Sequence, residues 1–144
     1  MNKLSLFFSL CVLSISIAGS AQNAQPWKPE QLLSPDSLSA VINNPSASQP
    51  LIINIGPAGL IKGAVETGPV NKKENLKALS DLLLKENKDR EIIVYCGCCP
   101  YKNCPNIHPA FSLLNSLKFT NYKLLDLPHN LKVDWIDHGY PMAK

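Results

Sequence analysis

Two short, almost wholly apolar runs constrain the fold of this chain more than any other feature. Leu51–Ile55 and Glu91–Tyr95 carry apolar side chains at successive positions, so both faces of each run must be buried. Strands of this kind are typical of parallel sheets that helices cover on both faces. Helical patterns lie before, between and after these runs. The sequence therefore predicts an α/β, three-layer fold with a central, mostly parallel sheet and helices on both faces.

The remaining elements follow from periodicity and from helix end signals. Ser34 is a predicted helix cap, and Pro35 suits the first helical position. Gly139 ends the last helical turn. We predict helices over 35–42, 71–88 and 109–118, strands over 51–55, 91–95 and 122–127, and a helical turn over 134–138.

The first residues have the pattern of an export signal. Lys3 precedes the apolar stretch 4–18, and small residues then predict cleavage after Ala21. We therefore expect a signal peptide over 1–21, a tether over 22–31 and one domain over 32–144. The protein would be secreted or periplasmic, with no membrane span after signal cleavage.

Charge excludes one class of partner. The chain has 14 basic and 11 acidic residues and a net charge of +3, with no basic stripe. Nucleic acid is therefore not an expected partner.

Four cysteines lie within nine positions, directly after the second apolar run. They form the pattern Cys-x-Cys-Cys-x4-Cys from Cys96 to Cys104. In parallel α/β sheets, reactive groups gather where strands end. Packing of the core does not require such a cluster, so the sequence predicts a chemical site there.

Several segments, in this order, resemble the rhodanese-like domain. The resemblance covers roughly residues 32–142 and rests on five pieces. Two pieces are strands: Leu51–Gly56, where the family has Asp-x-Arg, and Val94–Cys96, at the position of the family's nucleophile strand. Two are motifs: Ile61–Ala64 is similar to Ile-Pro-Gly-Ala, and Trp135–Pro141 is similar to Trp-x-x-x-Gly-x-Pro. The fifth is the helix Phe111–Phe119, which matches the helix after the family's nucleophile.

The resemblance implies a sulfurtransferase with a persulfide mechanism and no cofactor. By position, Cys96 is the implied catalytic nucleophile, with Cys99 and Cys104 as the other candidates. Backbone N–H groups between a strand end and a helix start favour the thiolate. We therefore expect Cys96 to lie among such groups, within reach of incoming molecules.

The chain departs from the family at the site itself. Twelve residues separate Cys96 from Pro109, which makes the loop longer than the family's, and the only arginine, Arg90, precedes the strand instead of closing the loop. Asn54 and Gly56 replace the family's Asp and Arg. Binding of an anionic donor would fall to weaker groups. The predicted loop and substrate-binding residues are Gly97, Cys98, Cys99, Tyr101, Lys102, Cys104 and His108.

Roles within the loop follow from residue type. Cys98, Cys99 or Cys104 would relay sulfur or resolve the intermediate as a disulfide. Asn106 is a predicted cap for the helix that Pro109 enters. The expected partners are a small sulfur-containing anion or a thiol-bearing protein, together with a periplasmic thiol reductant.

Two other functions stay open. The cysteines suit Zn(II) or Cu(I), but three loop prolines are expected to hinder wrapping around one ion, so the leading function includes no metal. The other alternative is a non-catalytic domain whose loop is stapled by a disulfide, for example from Cys98 or Cys99 to Cys104.

Overall fold

The structure, a computed structural model, describes residues 25–144. The predicted signal peptide and the first residues of the predicted tether lie outside this range. The strands are β1 (Leu32–Leu33), β2 (Leu51–Asn54), β3 (Val65–Glu66), β4 (Ile92–Tyr95) and β5 (Tyr122–Leu125). The α-helices are α1 (Pro35–Asn43), α2 (Lys73–Leu83) and α3 (Ile107–Ser116), and short helical turns occupy Pro29–Gln31, Tyr101–Asn103 and Lys132–Ile136.

The five strands form one sheet in the order β1-β5-β4-β2-β3, and every neighbouring pair is parallel. Helices α2 and α3 pack on one face of the sheet. Helix α1 and the turn at Lys132–Ile136 pack on the other face, where Leu38 and Trp135 are buried. The predicted three-layer α/β fold is confirmed.

The central strand β4 shows why its sequence has no polar face. Ile92 and Val94 belong to the core on the α2–α3 side, whereas Ile93 and Tyr95 belong to the core on the opposite side. All four side chains are fully buried. The alternation continues past the strand end, and Cys96 therefore belongs to the α2–α3 core.

Helix ends match the sequence signals at α1 and differ at α2 and α3. The Ser34 hydroxyl accepts a hydrogen bond from the Ser37 N–H at 3.3 Å, as a helix cap should. Helix α2 stops at Leu83, five residues early, and the chain continues in tight turns. Helix α3 starts at Ile107 instead of Pro109. A proline fits there because the N–H groups of a first helical turn have no partner inside the helix.

The segment before α1 is part of the packed domain. β1 pairs with β5, and Trp27 packs edge-on against Tyr101 and Phe111, with ring centroids 5.5 and 6.2 Å away. The last residues of the predicted tether thus pack against the domain. A two-residue strand has no periodicity, so the sequence could not reveal β1. Between residues 25 and 144 there is no helix with the length and apolar character needed to cross a membrane.

Candidate thiol site

The four cysteines lie at the carboxyl edge of the sheet, where strand order reverses. From β4 the chain crosses to β5 on one side, and from β2 it crosses to β3 on the other. This edge of the sheet is where α/β proteins bind ligands. Cys96 follows β4 and Gly56 follows β2, and the two residues are in close contact. A β-carbon added at Gly56 would overlap the sulfur of Cys96, so the sulfur fills the space that any side chain at position 56 would need.

The turn after Cys96 is held tightly by its neighbours. Gly97 has a positive φ of 74°, and its carbonyl accepts a hydrogen bond from the Leu131 N–H at 2.8 Å. A β-carbon at Gly97 would lie 2.9 Å from the β-carbons of Ala58 and Leu131. Only glycine suits both the backbone conformation and the space. The turn that joins Cys96 to Cys98 is therefore fixed by packing.

The loop gathers its four sulfur atoms into one cluster, which we call the thiol cluster. The Sγ atoms of Cys96, Cys98, Cys99 and Cys104 all lie within 4.8 Å of one another. The Cys96–Cys98 pair is 3.3 Å apart and the Cys98–Cys99 pair 3.4 Å apart. All four are free thiols in the structure, so none of the predicted pairings with Cys104 is formed as a disulfide. The sulfurs lie this close together although the loop contains the three prolines that were expected to hinder its wrapping around one ion.

The thiols differ in exposure. Cys96 is 3% exposed and Cys104 is 7% exposed, whereas Cys98 is exposed and Cys99 is partly buried. The prediction that Cys96 lies open to incoming molecules is therefore wrong. The strand alternation directs its side chain into the α2–α3 core, and Cys98 contacts its sulfur from the exposed side.

The surroundings of Cys96 lower its pKa to about 5. The main cause is hydrogen bonding from the Cys104 thiol, with further bonds from the Asn106 amide and from the thiol and N–H of Cys98. Burial acts in the opposite direction. The expected ring of backbone N–H groups is reduced to the N–H of Cys98, so neighbouring side chains, not the start of α3, stabilise the thiolate.

Two neighbouring thiols have raised pKa values. The pKa of Cys98 rises to about 12, chiefly through partial desolvation of its sulfur and the contact with Cys96, and the pKa of Cys104 rises mainly because of its bond to Cys96. At neutral pH the Cys96 sulfur is therefore ionised beside the neutral S–H groups of Cys98 and Cys104. This pattern singles out the cysteine that the family resemblance also implies.

Asn106 is the site residue that the sequence did not reveal. Its amide donates to Sγ of Cys96 at 3.2 Å and lies 3.8 Å from Sγ of Cys104, while its oxygen accepts the N–H of Asn71 at 3.0 Å. It makes no capping bond to α3, so the predicted capping role is wrong. Its own backbone is already helical, whereas a capping residue needs an extended one. Its distance of ten positions from Cys96 in the sequence concealed this contact.

The three non-cysteine residues with predicted polar roles lie beside the thiol cluster. Tyr101 is buried against Trp27, and is thus a packing residue. Lys102 and His108 are exposed and, together with Cys104 and Trp27, line a surface cleft of about 380 Å³. The two basic side chains therefore border the thiol cluster on its Cys104 side.

The residues at the positions of the family's Asp and Arg have structural roles here. Buried Asn54 accepts the Gly56 N–H at 3.0 Å and donates to the Ala58 carbonyl at 2.7 Å, which shapes the turn after β2. Arg90 donates to the Gln49 carbonyl at the opposite end of the sheet. As predicted from its place before β4, it does not reach the cysteine loop.

Fold and site together define an α/β protein with a four-thiol site at the carboxyl edge of a parallel sheet. No protein-family model and no curated protein match the chain. A solved structure of an EanB variant in complex with hercynine is similar in fold, with a TM-score of 0.55 and 18% sequence identity. The match covers 79% of this chain and 27% of that one, so this chain spans about a quarter of the EanB chain. At this identity the similarity concerns the fold alone.

Proposed function

We propose that this protein handles sulfane sulfur outside the cytosol, as a rhodanese-like sulfurtransferase that uses Cys96 as its nucleophile. One observation carries the proposal: the Cys96 sulfur, at the end of a central strand, lies among hydrogen-bond donors that favour its thiolate. The thiolate is the form of cysteine that attacks sulfur. The export part of the proposal rests on the pattern of residues 1–21.

The first step forms a persulfide. The Cys96 thiolate attacks the outer sulfur of a sulfane-sulfur donor, an Sγ–S bond forms, and the donor's S–S bond breaks. The donor's remaining fragment leaves with the electron pair as a thiolate or, from thiosulfate, as sulfite. The N–H donors around Cys96, from Asn106 and the Cys98 backbone, would then stabilise the negative charge on the terminal sulfur.

The second step removes the sulfur. An acceptor thiolate attacks the terminal sulfur and restores the Cys96 thiolate. Alternatively, the Cys98 thiol, 3.3 Å from Cys96, attacks Sγ of the persulfide. That reaction forms a Cys96–Cys98 disulfide and releases hydrosulfide, which carries away the thiol proton. A dithiol reductant must then reduce the disulfide, consistent with a thiol reductant as partner.

Access to Cys96 passes the exposed side chain of Cys98. Because Cys96 is buried and Cys98 contacts it from the exposed side, this side chain must rotate away before a donor can reach Cys96. Side-chain rotation is fast compared with enzyme turnover. The cleft bordered by Lys102 and His108 favours a small anionic sulfur compound or an acidic, thiol-bearing protein as partner. Lysine holds such anions as a point charge, without the fork of arginine.

Intact-mass spectrometry of the reduced protein, after incubation with a sulfane-sulfur donor, tests the proposal. We expect a gain of one sulfur atom in the wild type and in Cys99→Ser, and no gain in Cys96→Ser. Lys85→Ala is the control, because Lys85 is exposed and belongs neither to the thiol cluster nor to the cleft beside it. The absence of any gain in the fully reduced wild type would overturn the proposal.

A further inference from the structure

We infer that the thiol cluster is also a binding site for a single thiophilic d¹⁰ metal ion, Zn(II) or Cu(I), with Cys96, Cys98, Cys99 and Cys104 as ligands. This inference goes beyond sulfur transfer and does not depend on it. It stands on the positions of four sulfur atoms.

The spacing of the sulfurs fits a single ion. A tetrahedral Zn(II) site has Zn–S bonds of about 2.3 Å, which places its sulfurs about 3.8 Å apart. The four Sγ atoms lie within 4.8 Å of one another, and two of the pairs are 3.3 and 3.4 Å apart. The observed separations bracket the required one. Shifts of about 1 Å or less would bring the sulfurs to bonding distance around a common centre.

The type of donor decides the class of metal. Among residues 25–144, no histidine or carboxylate belongs to this group of side chains. An all-sulfur ligand set selects soft ions such as Cu(I) and Zn(II) over Mg²⁺, Ca²⁺ or Mn²⁺, which prefer oxygen. Three ligands would suffice for Cu(I), whereas Zn(II) would use all four.

The site is largely preformed. Gly97 fixes the turn between Cys96 and Cys98 through its packing against Ala58 and Leu131. Asn106 directs its amide nitrogen at Cys96, 3.2 Å away, and at Cys104, 3.8 Å away. Donors of this kind stabilise metal-bound thiolates and orient them. The two buried sulfurs are therefore positioned before an ion arrives, and exposed Cys98 gives the ion its entry.

Metal binding and sulfur transfer would exclude each other, because both use the Cys96 sulfur. A bound ion would ligate the thiolate that attacks the donor. Metal-loaded protein should therefore gain no sulfur, and removal of the ion should restore the reaction.

The test is a metal titration of the full-length, reduced, chelator-treated protein. One arm uses Zn(II) against a chromophoric chelator, with Co(II) as a spectroscopic substitute. The other arm uses Cu(I) against a Cu(I)-specific chelator. We expect one tightly held equivalent in at least one arm, and the arm identifies the ion. For Zn(II), the Co(II) form should show thiolate-to-metal bands and the intense visible bands of tetrahedral sulfur ligation.

Variants at the partly or fully exposed ligands test the site without disturbing the core. Loss of an outer hydrogen-bond partner alone weakens metal affinity by about 10–100-fold. The double variant Cys98→Ser/Cys99→Ser removes two ligands, so it should lose more than about 100-fold. His108→Ala, the matched control, should keep wild-type affinity. Circular dichroism should show both variants to be folded.

Two results would overturn the inference: no stoichiometric uptake in either arm, or uptake that the double variant leaves unchanged. Sulfur transfer would survive both results, because its readout is the persulfide mass of the metal-free protein. A missing persulfide would likewise leave the metal titration intact.

Discussion

The side-chain amide of Asn106 donates a hydrogen bond to the sulfur of Cys96, with 3.2 Å between nitrogen and sulfur. The same side chain accepts the N–H of Asn71 at 3.0 Å, which fixes its orientation. Because Asn106 is 3% exposed, water cannot take over either bond. Asn106 therefore ties the candidate nucleophile to the segment that precedes α2.

Replacing Asn106 by alanine should raise the pKa of Cys96. The wild-type thiolate should form with a midpoint near pH 5, visible in the ultraviolet absorbance of the metal-free protein. Loss of a hydrogen bond to a charged group costs about 1.5–3 kcal/mol, so the variant should hold several-fold less thiolate at pH 6. His108→Ala should keep the wild-type midpoint. An unchanged midpoint in folded Asn106→Ala would contradict this role.

The folding stability of the reduced, metal-free protein should rise with pH between about 5 and 8. The pKa of Cys96 is about 5 in the folded protein, and that of a cysteine in an unfolded chain is about 8.5. Between these values the unfolded chain binds more protons, so stability increases with pH, and the contribution is lost as pH falls through 5. Above this range the raised pKa values of Cys98 and Cys104 oppose a further gain.

Urea unfolding of wild type and Cys96→Ala across this range measures the effect. The free energies of unfolding of the two proteins should diverge as pH rises. Parallel curves would show that Cys96 is not ionised in the folded protein.

Gly56→Ala should destabilise the protein by about 1–3 kcal/mol, the usual cost of overfilling a packed site. The added methyl group would overlap the Cys96 sulfur and lie 2.7 Å from its carbonyl oxygen, so the backbone must move. Gly59→Ala is the matched control, since its methyl group would meet only Met142 and Leu131, at 3.4 and 3.9 Å. Equal unfolding midpoints for the two variants would contradict the close contact between residues 56 and 96.

Trp27→Ala should destabilise the domain by about 1–3 kcal/mol. Truncation of a tryptophan in a core costs about 3–5 kcal/mol, and Trp27 is only partly buried against Tyr101 and Phe111. Lys28→Ala, at an exposed neighbour, should have little effect. Thermal unfolding of both variants checks the prediction. A wild-type midpoint for Trp27→Ala would show that this segment is a tether in solution.

The central architecture was predictable because a strand buried on both faces has apolar side chains at successive positions. Leu51–Ile55 and Glu91–Tyr95 have this pattern, and each contains a strand of the sheet. β1 has no such pattern, because two residues cannot show a period, and it is stabilised by pairing with β5. Helix α3 began earlier than expected because a proline in the first turn costs no hydrogen bond.

The site was predictable as a location and less so in its geometry. The cysteine pattern predicted where the four thiols would gather, and the position of Cys96 at a strand end made it the predicted nucleophile. The burial of Cys96 and the inward turn of Asn106 depend on the path of the loop between them. Contacts that a loop makes across the fold, such as Leu131 with Gly97, have no local sequence signal.

Peptide mapping of the persulfide identifies the cysteine that accepts the sulfur. The reduced, metal-free protein is treated with a sulfane-sulfur donor, blocked by alkylation, digested with trypsin and fragmented in the mass spectrometer. Cleavage after Arg90 and Lys102 places Cys96, Cys98 and Cys99 in one peptide and Cys104 in the next. We expect alkylated persulfide on Cys96. Persulfide confined to Cys98, Cys99 or Cys104, or found on no cysteine, would contradict it.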